Sequence, residues 1–297
     1  MTLLQVRKVS RHFGSLVAVR DVSMTVEPGE LRAVIGPNGA GKTTFFNLIS
    51  GFFPPSAGTI GFDGKDITSW SAHQRVQHGM ARTFQITEIF PELSVRENLR
   101  VPIEVASGLR LRPWLSKDED VRIRARLDEL LRMGGLAEKA DRLVGELSHG
   151  DQRATEIMMS IALRPRLLLL DEPTAGMGDQ ETYDITRLIR RLHRHEKLSI
   201  VLIEHDMRVV FHLADRIMVL AEGSMLAEGT ADEIAKDERV QAAYLGKTEW
   251  TCSKRKGCRP STARAISCTA SACRCARARS SRCLAATAPA RRRPCAR

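Results

Sequence analysis

Apolar and polar positions alternate over residues 2–9 and again over 22–26, the two-residue period of strands buried on one face. Glu27-Pro28-Gly29-Glu30 then has the composition of a turn. Residues 31–35 form a short apolar run, as a buried strand does, and the pattern recurs as four leucines at 167–170 and again at 198–203. A helical period appears instead at Ile123, Leu127, Leu130 and Leu131, predicting a packed amphipathic helix over 122–133. Helices are also predicted over 43–50 and from Ser148, a natural N-cap, to about residue 162. Short buried strands interleaved with helices place the chain in the α/β class.

Composition divides the chain in two. The 297 residues carry a net charge of +11, but no acidic residue follows Glu249, and residues 252–297 hold 13 Lys and Arg and all 7 cysteines. The remainder is close to neutral. The segment 252–297 is rich in Ala, Arg, Ser, Cys, Thr and Pro, with Ile266 and Leu284 its only large aliphatics. It lacks the apolar surface to offset its ordering entropy, so residues 250–297 are expected to be a disordered tail after a body of 1–249. An Arg-rich tail suggests nucleic acid or anionic lipid, and Cys273-Arg274-Cys275 suggests metal. The cysteines lack paired CxxC spacing and no His accompanies them. Such composition is typical of out-of-frame translation of a GC-rich gene, so the tail is expected to be a frameshift product or peripheral to the working protein. No apolar run approaches the ~18 residues of a membrane span, and residues 1–5 lack the features of a secretory signal, so a cytoplasmic protein is expected.

The strand over 31–35 runs directly into Gly36-Pro37-Asn38-Gly39-Ala40-Gly41-Lys42-Thr43-Thr44, the phosphate-loop pattern GxxxxGK[ST] in its strand–loop–helix context. Gly36, Gly39 and Gly41 permit a backbone that turns successive N–H groups inward. The helix beginning near Lys42 aims its positive end at the same point, Lys42 supplies charge to the β- and γ-phosphates, and the Thr43 hydroxyl is suited to Mg²⁺. A ligand-free Gly-rich turn carries little weight, because Lys-Thr-Thr at this offset has no packing purpose. The leucine run closes on Asp171-Glu172: Asp171 suits Mg²⁺, and Glu172 suits a general base for the attacking water. Taken singly, that pair reads equally as a strand-end acidic turn. Gln85, the Leu147-Ser148-His149-Gly150-Asp151 helix start, and His205 just past the strand over 198–203 complete the set. Each alone is a lone Gln, a helix cap or a surface His. Their joint order carries the weight.

That order resembles the ATP-binding-cassette (ABC) ATPases over nearly all of residues 3–249. The resemblance implies a P-loop NTPase cassette with a mixed central sheet, an N-terminal antiparallel β subdomain and an α-helical subdomain inserted at about 88–163. It implies ATP and Mg²⁺ as cofactors, with Pro37, Asn38, Ala40 and Thr44 joining the loop glycines and Lys42 around the nucleotide, and Phe13 stacking on adenine. Gln85 would touch Mg²⁺ and the lytic water and relay the state to a membrane partner. His205 would pin the γ-phosphate, and Ser148 and Gly150 would contact the ATP of a second, facing cassette. The family's signature is Leu-Ser-Gly-Gly-Gln. Here His149 and Asp151 depart from it, and the Asp151 carboxylate is expected to stand against phosphate. The loop 174–179 also departs from the family pattern.

Residues 204–220, and the ending from Leu226-Ala227-Glu228-Gly229-Thr230 to Ala243-Tyr244-Leu245-Gly246, are similar to the ATPase subunits of branched-chain (hydrophobic) amino-acid uptake systems. The resemblance therefore implies an importer ATPase for branched-chain or related small solutes of the urea or amide type. Its partners would be transmembrane permease subunits, an identical or paralogous second ATPase and, indirectly, a solute-binding protein. It would sit peripherally on the cytoplasmic face of the inner membrane, coupled through about 86–99, with no nucleic acid expected. The rival reading is a soluble cassette acting on translation or nucleic acid. Such proteins usually carry two cassettes or a long coiled-coil insert, and this chain has a single P-loop and no internal repeat.

Overall fold

The structure, a computed structural model, describes residues 2–83, 89–108 and 116–244. Gln85, residues 86–88 of the expected coupling surface, and the tail with its expected disorder and frameshift origin lie outside the described residues. Contacts divide the chain into Met1–Thr251 and Cys252–Arg297, and the description that follows concerns the first unit.

Strands β1 (Leu4–Phe13) and β2 (Leu16–Val26) form an antiparallel hairpin. Both are longer than the alternation predicts. The register shifts between Val6 and Val9 and again before Arg11, and Lys8 and Asp21 adopt positive φ of 45° and 47°. These bulges break the two-residue period that a sequence reading follows. β3 (Leu31–Ile35) leads into α1 (Lys42–Ser50). β4 (Ala57–Phe62) and β5 (Lys65–Asp66) complete a four-stranded antiparallel sheet in the order β2-β1-β4-β5.

After α2 (Ala72–Gln77) and β6 (Met80–Arg82) come three longer helices: α3 (Val95–Ala106), α4 (Lys117–Gly134) and α5 (His149–Ala162). α4 buries Ile123, Leu127, Leu130 and Leu131, the predicted stripe. Ser148 caps α5 by accepting from Asp151 N–H. β7 (Leu167–Asp171), α6 (Asp179–Glu196), β8 (Ser199–Ile203), α7 (Met207–Leu213), β9 (Arg216–Ala221) and β10 (Ser224–Gly229) follow, then α8 (Ala231–Lys236) and α9 (Glu238–Tyr244). The second sheet has the order β10-β9-β3-β8-β7-β6, with β10 antiparallel and the other pairs parallel. This is the mixed α/β arrangement that the resemblance implies.

The parallel strands are buried on both faces, which is why they read as continuous apolar runs. Leu168, Leu170, Ile200 and Leu202 join a core with Leu99, Leu127 and Ile157 of the three long helices. Leu167, Leu169, Val201 and Ile203 face the other way, toward Phe45, Phe46 and Ile49 of α1 and Val6 and Val19 of the hairpin.

One buried cation fastens α1 to its surroundings. Arg75 is 1% exposed, and burial lowers its pKa to about 10. Its guanidinium donates to the carbonyls of Leu48 and Ile49 at 2.7 and 2.6 Å, in the last turn of α1. It also donates to Ile67 at 2.8 Å and to Trp70 at 3.2 Å. Helix-end carbonyls lack partners within the helix, so Arg75 serves as a C-terminal cap from another segment. Arg75→Met should strip the guanidinium from these carbonyls, leaving that of Leu48 only its Gly51 N–H, and cost about 2 kcal/mol or more of stability, measured by urea unfolding. An unchanged midpoint would contradict this role.

Candidate functional site

The pairing register brings three strand ends to one edge. Val34 of β3 and Asp171 of β7 both pair with Ile203 of β8. The residues that follow, Gly36, Glu172 and Glu204-His205, therefore leave the sheet together, at the carboxyl edge where α/β sheets gather ligands.

The loop 36–41 is held by close backbone approaches. A Cβ at Gly36 would lie 2.2 Å from Leu220 O, and one at Gly41, where φ is +92°, would lie 2.4 Å from Ala18 O. No other residue fits at either position. The β9–β10 turn closes over the loop: Gly223 N–H donates to Ala40 O at 3.2 Å, and Arg20 N–H donates to Gly223 O at 2.7 Å. The result is an open groove of about 650 Å³ bordered by residues 38–44, 16–18, Glu172, His205 and Glu222. Asn38, Gly39, Ala40, Thr43 and Thr44 thus stand together on one wall.

Lys42, the first residue of α1, is 6% exposed. Its ammonium donates to Gly36 O at 2.7 Å and Pro37 O at 3.0 Å. Burial lowers its pKa, and the negative charges of Glu172 and Asp171 oppose that fall. The cation is thereby aimed along the loop without a direct carboxylate bond of its own among the hydrogen bonds described.

Asp171 ends β7 and is almost fully buried. Burial raises its pKa, while Arg82, donating to Oδ2 at 2.9 Å, pulls in the other direction. Arg82 also donates to Asn47 Oδ1 and Ser50 Oγ, so it ties β6, α1 and β7 together. Glu172 takes a left-handed backbone, φ +46°, unusual for a non-glycine residue. Its carboxylate Oε1 lies 2.7 Å from His205 Nε2, the geometry of a ring N–H donating to a carboxylate.

Glu204 holds this pair in place. Buried to 3% exposure, its Oε1 accepts from Thr174 N–H at 2.9 Å and Thr174 Oγ1–H at 2.5 Å, and its Oε2 accepts from His205 N–H at 2.8 Å. It therefore joins the loop after Glu172 to the loop carrying His205. In the sequence it reads only as an acidic residue beside a histidine.

Ser148 and Gly150 line a different cavity of about 320 Å³, between the α4 end, α5 and α6. Gly150 N–H donates to Glu181 Oε1 at 3.1 Å. Asp151 follows on α5. Its carboxylate is gripped by Lys139 Nζ at 2.7 and 2.6 Å and accepts from Ser148 Oγ at 3.0 Å, so the charge is compensated within the chain. Arg153, also on α5, donates to Asp171 O at 2.7 Å and links the two regions. Phe13 ends β1, with its ring edge-on to Phe53 at 5.6 Å and the Arg11 guanidinium over both rings. The groove is bordered by Leu16 and Val17 rather than by Phe13.

A family model described as ABC transporter matches residues 19–175, and one described as branched-chain amino acid ATP-binding cassette transporter matches 224–249. The high-affinity branched-chain amino acid transport ATP-binding protein BraF of Pseudomonas aeruginosa is 38% identical over 251 residues, 82% of this chain and 98% of its own length. The corresponding protein LivG of Escherichia coli K12 is 39% identical over 251 residues, with the same coverage. Among solved structures, the ADP conformation of an ATP-binding cassette of an ABC transporter superposes with a TM-score of 0.73 at 28% identity, covering 83% of this chain and all of that one.

Hydrogen bonds to a buried charge are worth about 1.5–3 kcal/mol each. Glu204→Gln, which keeps the shape but discards the charge, should therefore lower stability by about 2 kcal/mol in urea unfolding. A loss within experimental error would mean that Glu204 does not fasten the two loops.

Proposed function

The chain belongs to the ABC transporter family of ATP-binding cassettes, and from that premise we propose that it energises a membrane importer for branched-chain or related small hydrophobic solutes. ATP hydrolysis coupled to transport is the activity of such cassettes. The observation that carries the reading at this site is the Glu172–His205 pair, fixed at the mouth of the groove built by loop 36–44. The match over 224–249, together with BraF and LivG, supports the branched-chain assignment. No relative described above acts on translation or nucleic acid, so the rival reading is not favoured.

The loop amides and the positive end of α1 would bind the phosphates of ATP, and the Lys42 ammonium would turn from the Gly36 and Pro37 carbonyls toward them. The donor set also fits Mg²⁺, a cation usually held by one or two protein oxygens together with substrate phosphates and water. The Thr43 hydroxyl and the Asp171 carboxylate would hold it, and Gln85 belongs to the same proposal by resemblance. When bound, Mg²⁺ would neutralise charge on the phosphate oxygens. Glu172 would accept a proton from the attacking water, and its left-handed backbone and the His205 N–H fix where that carboxylate points. His205 is the more exposed of the two, and turning its ring toward the γ-phosphate would break its bond to Glu172.

Ser148 and Gly150 share no lining residue with this groove. That separation supports a second cassette, whose nucleotide they would complete. Among the described residues no helix is long and apolar enough to cross a membrane, so the importer reading requires separate transmembrane permease subunits, with this chain on their cytoplasmic face. Phe13, exposed at the end of β1, would stack on adenine by the same resemblance.

Loss of a general base typically costs about 10²–10⁴-fold in rate. Glu172→Gln should therefore bind ATP while its steady-state turnover falls by about 10²-fold or more; wild-type turnover would remove Glu172 from the role. Lys42→Ala should weaken ATP affinity in equilibrium titration, and an unchanged affinity would contradict the phosphate contact.

A further inference from the structure

The N-terminal end of α5 already holds an anion of its own chain. The Ser148 hydroxyl donates to Asp151 Oδ2 at 3.0 Å and accepts from Asp151 N–H at 3.2 Å, and Lys139 neutralises that carboxylate. The Gly150 N–H goes elsewhere: it donates to Oε1 of Glu181, in the first turn of α6, at 3.1 Å. On the reading that Ser148 and Gly150 complete the nucleotide of a facing copy of this chain, we propose that Glu181 is an autoinhibitory residue. Its carboxylate stands where the γ-phosphate of that nucleotide would come, and it must leave before the two copies close on ATP.

The competition follows from what the helix end offers. Gly150 lies in the first turn of α5, where backbone N–H groups have no partner within the helix and the helix dipole favours negative charge. A carboxylate and a phosphate oxygen answer the same two features. The fit is close: a Cβ at Gly150 would meet Glu181 Cβ and Cγ at 3.2 Å each, so the stem of the glutamate lies against the helix end. Two anions on one amide would repel, and the site has room for one. Asp151 is not the competitor, because Lys139 compensates its charge. Among the described residues no Lys, Arg or His forms an ion pair with Glu181, so its charge is held by the α5 end and by Gly178 N–H, which donates to Oε2 at 3.4 Å. Glu181 is half-buried, so its side chain can swing into solvent while α6 stays folded. The contact also reaches further than one amide. Gly178 closes the loop that begins beyond Glu172 and that Glu204 fastens at Thr174. Arrival of a facing nucleotide would therefore free the start of α6 as well as the Gly150 amide.

The test uses the full-length chain carrying Glu172→Gln, with ATP-driven dimer formation followed by sedimentation velocity in the presence of Mg²⁺. Adding Glu181→Ala should lower the ATP concentration for half-maximal dimer by about threefold or more, since a hydrogen bond to a charged group no longer has to be broken. Glu181→Gln keeps an acceptor for Gly150 and discards the charge, so it should fall between the two. The ATP affinity of the monomer, titrated at low protein concentration, should not change, because Glu181 lines no part of the groove around residues 38–44. Amide hydrogen exchange at Gly150 in the nucleotide-free chain should quicken in Glu181→Ala, a readout that needs no ATP. If Glu181 only props α5 in place, its loss would raise the ATP requirement. That result, an unchanged requirement, or unchanged exchange at Gly150 would overturn the autoinhibitory role while the ATP-driven dimer stood. A Glu172→Gln chain that binds ATP and never dimerises would overturn the reading of Ser148 and Gly150, and the role of Glu181 with it.

Discussion

The structure depends on a wedge of backbone against backbone. Loop 36–41 lies so close to the carbonyls of Leu220 and Ala18 that side chains at Gly36 and Gly41 are sterically impossible. That crowding costs conformational freedom and gains a fixed curve of main-chain amides beside a buried ammonium. Lys42 is held there by two carbonyls of its own loop rather than by a carboxylate, and its depressed pKa reflects burial more than pairing. A cation partly stripped of water and held by weak neutral acceptors is well prepared to receive phosphate oxygens.

Everything else delivers partners to that loop. The parallel register aligns the ends of β3, β7 and β8, so the catalytic candidates Glu172 and His205 arrive at the same edge as the loop, although the residues 42, 172 and 205 are far apart in sequence. Buried polar side chains then remove the remaining freedom. Arg82 ties Asp171 to α1, Arg153 ties it to α5, Glu204 ties the Glu172 loop to the His205 loop, and Arg75 caps α1 from behind. Each is nearly inaccessible and would be costly if left alone. Together they specify one arrangement of the groove.

The strands over 31–35, 167–170 and 198–203, the helices over 43–50 and 122–133, and the loop and Asp171-Glu172 pair were legible because each is a local signal: an apolar run, a period or a motif. The hairpin was only partly legible, because bulges near Lys8 and Asp21 interrupt its alternation. Arg75, Arg82 and Glu204 carry no local signal. Their partners lie on other elements, and an isolated Arg or Glu reads as a surface charge. The Asp151 departure was visible, but its compensation was not, since Lys139 comes from a turn twelve residues earlier.

The most direct measurement of the central claim is an ATP titration in the presence of Mg²⁺, followed by the amide resonances of residues 36–44 in the isotope-labelled protein. Saturable shifts concentrated at Gly39, Gly41, Lys42 and Thr43, with inorganic phosphate far weaker than ATP, are the predicted result. Amides in this loop that stay unmoved at saturating ATP, or that shift no more than those of the distant β4–β5 hairpin, would contradict the account.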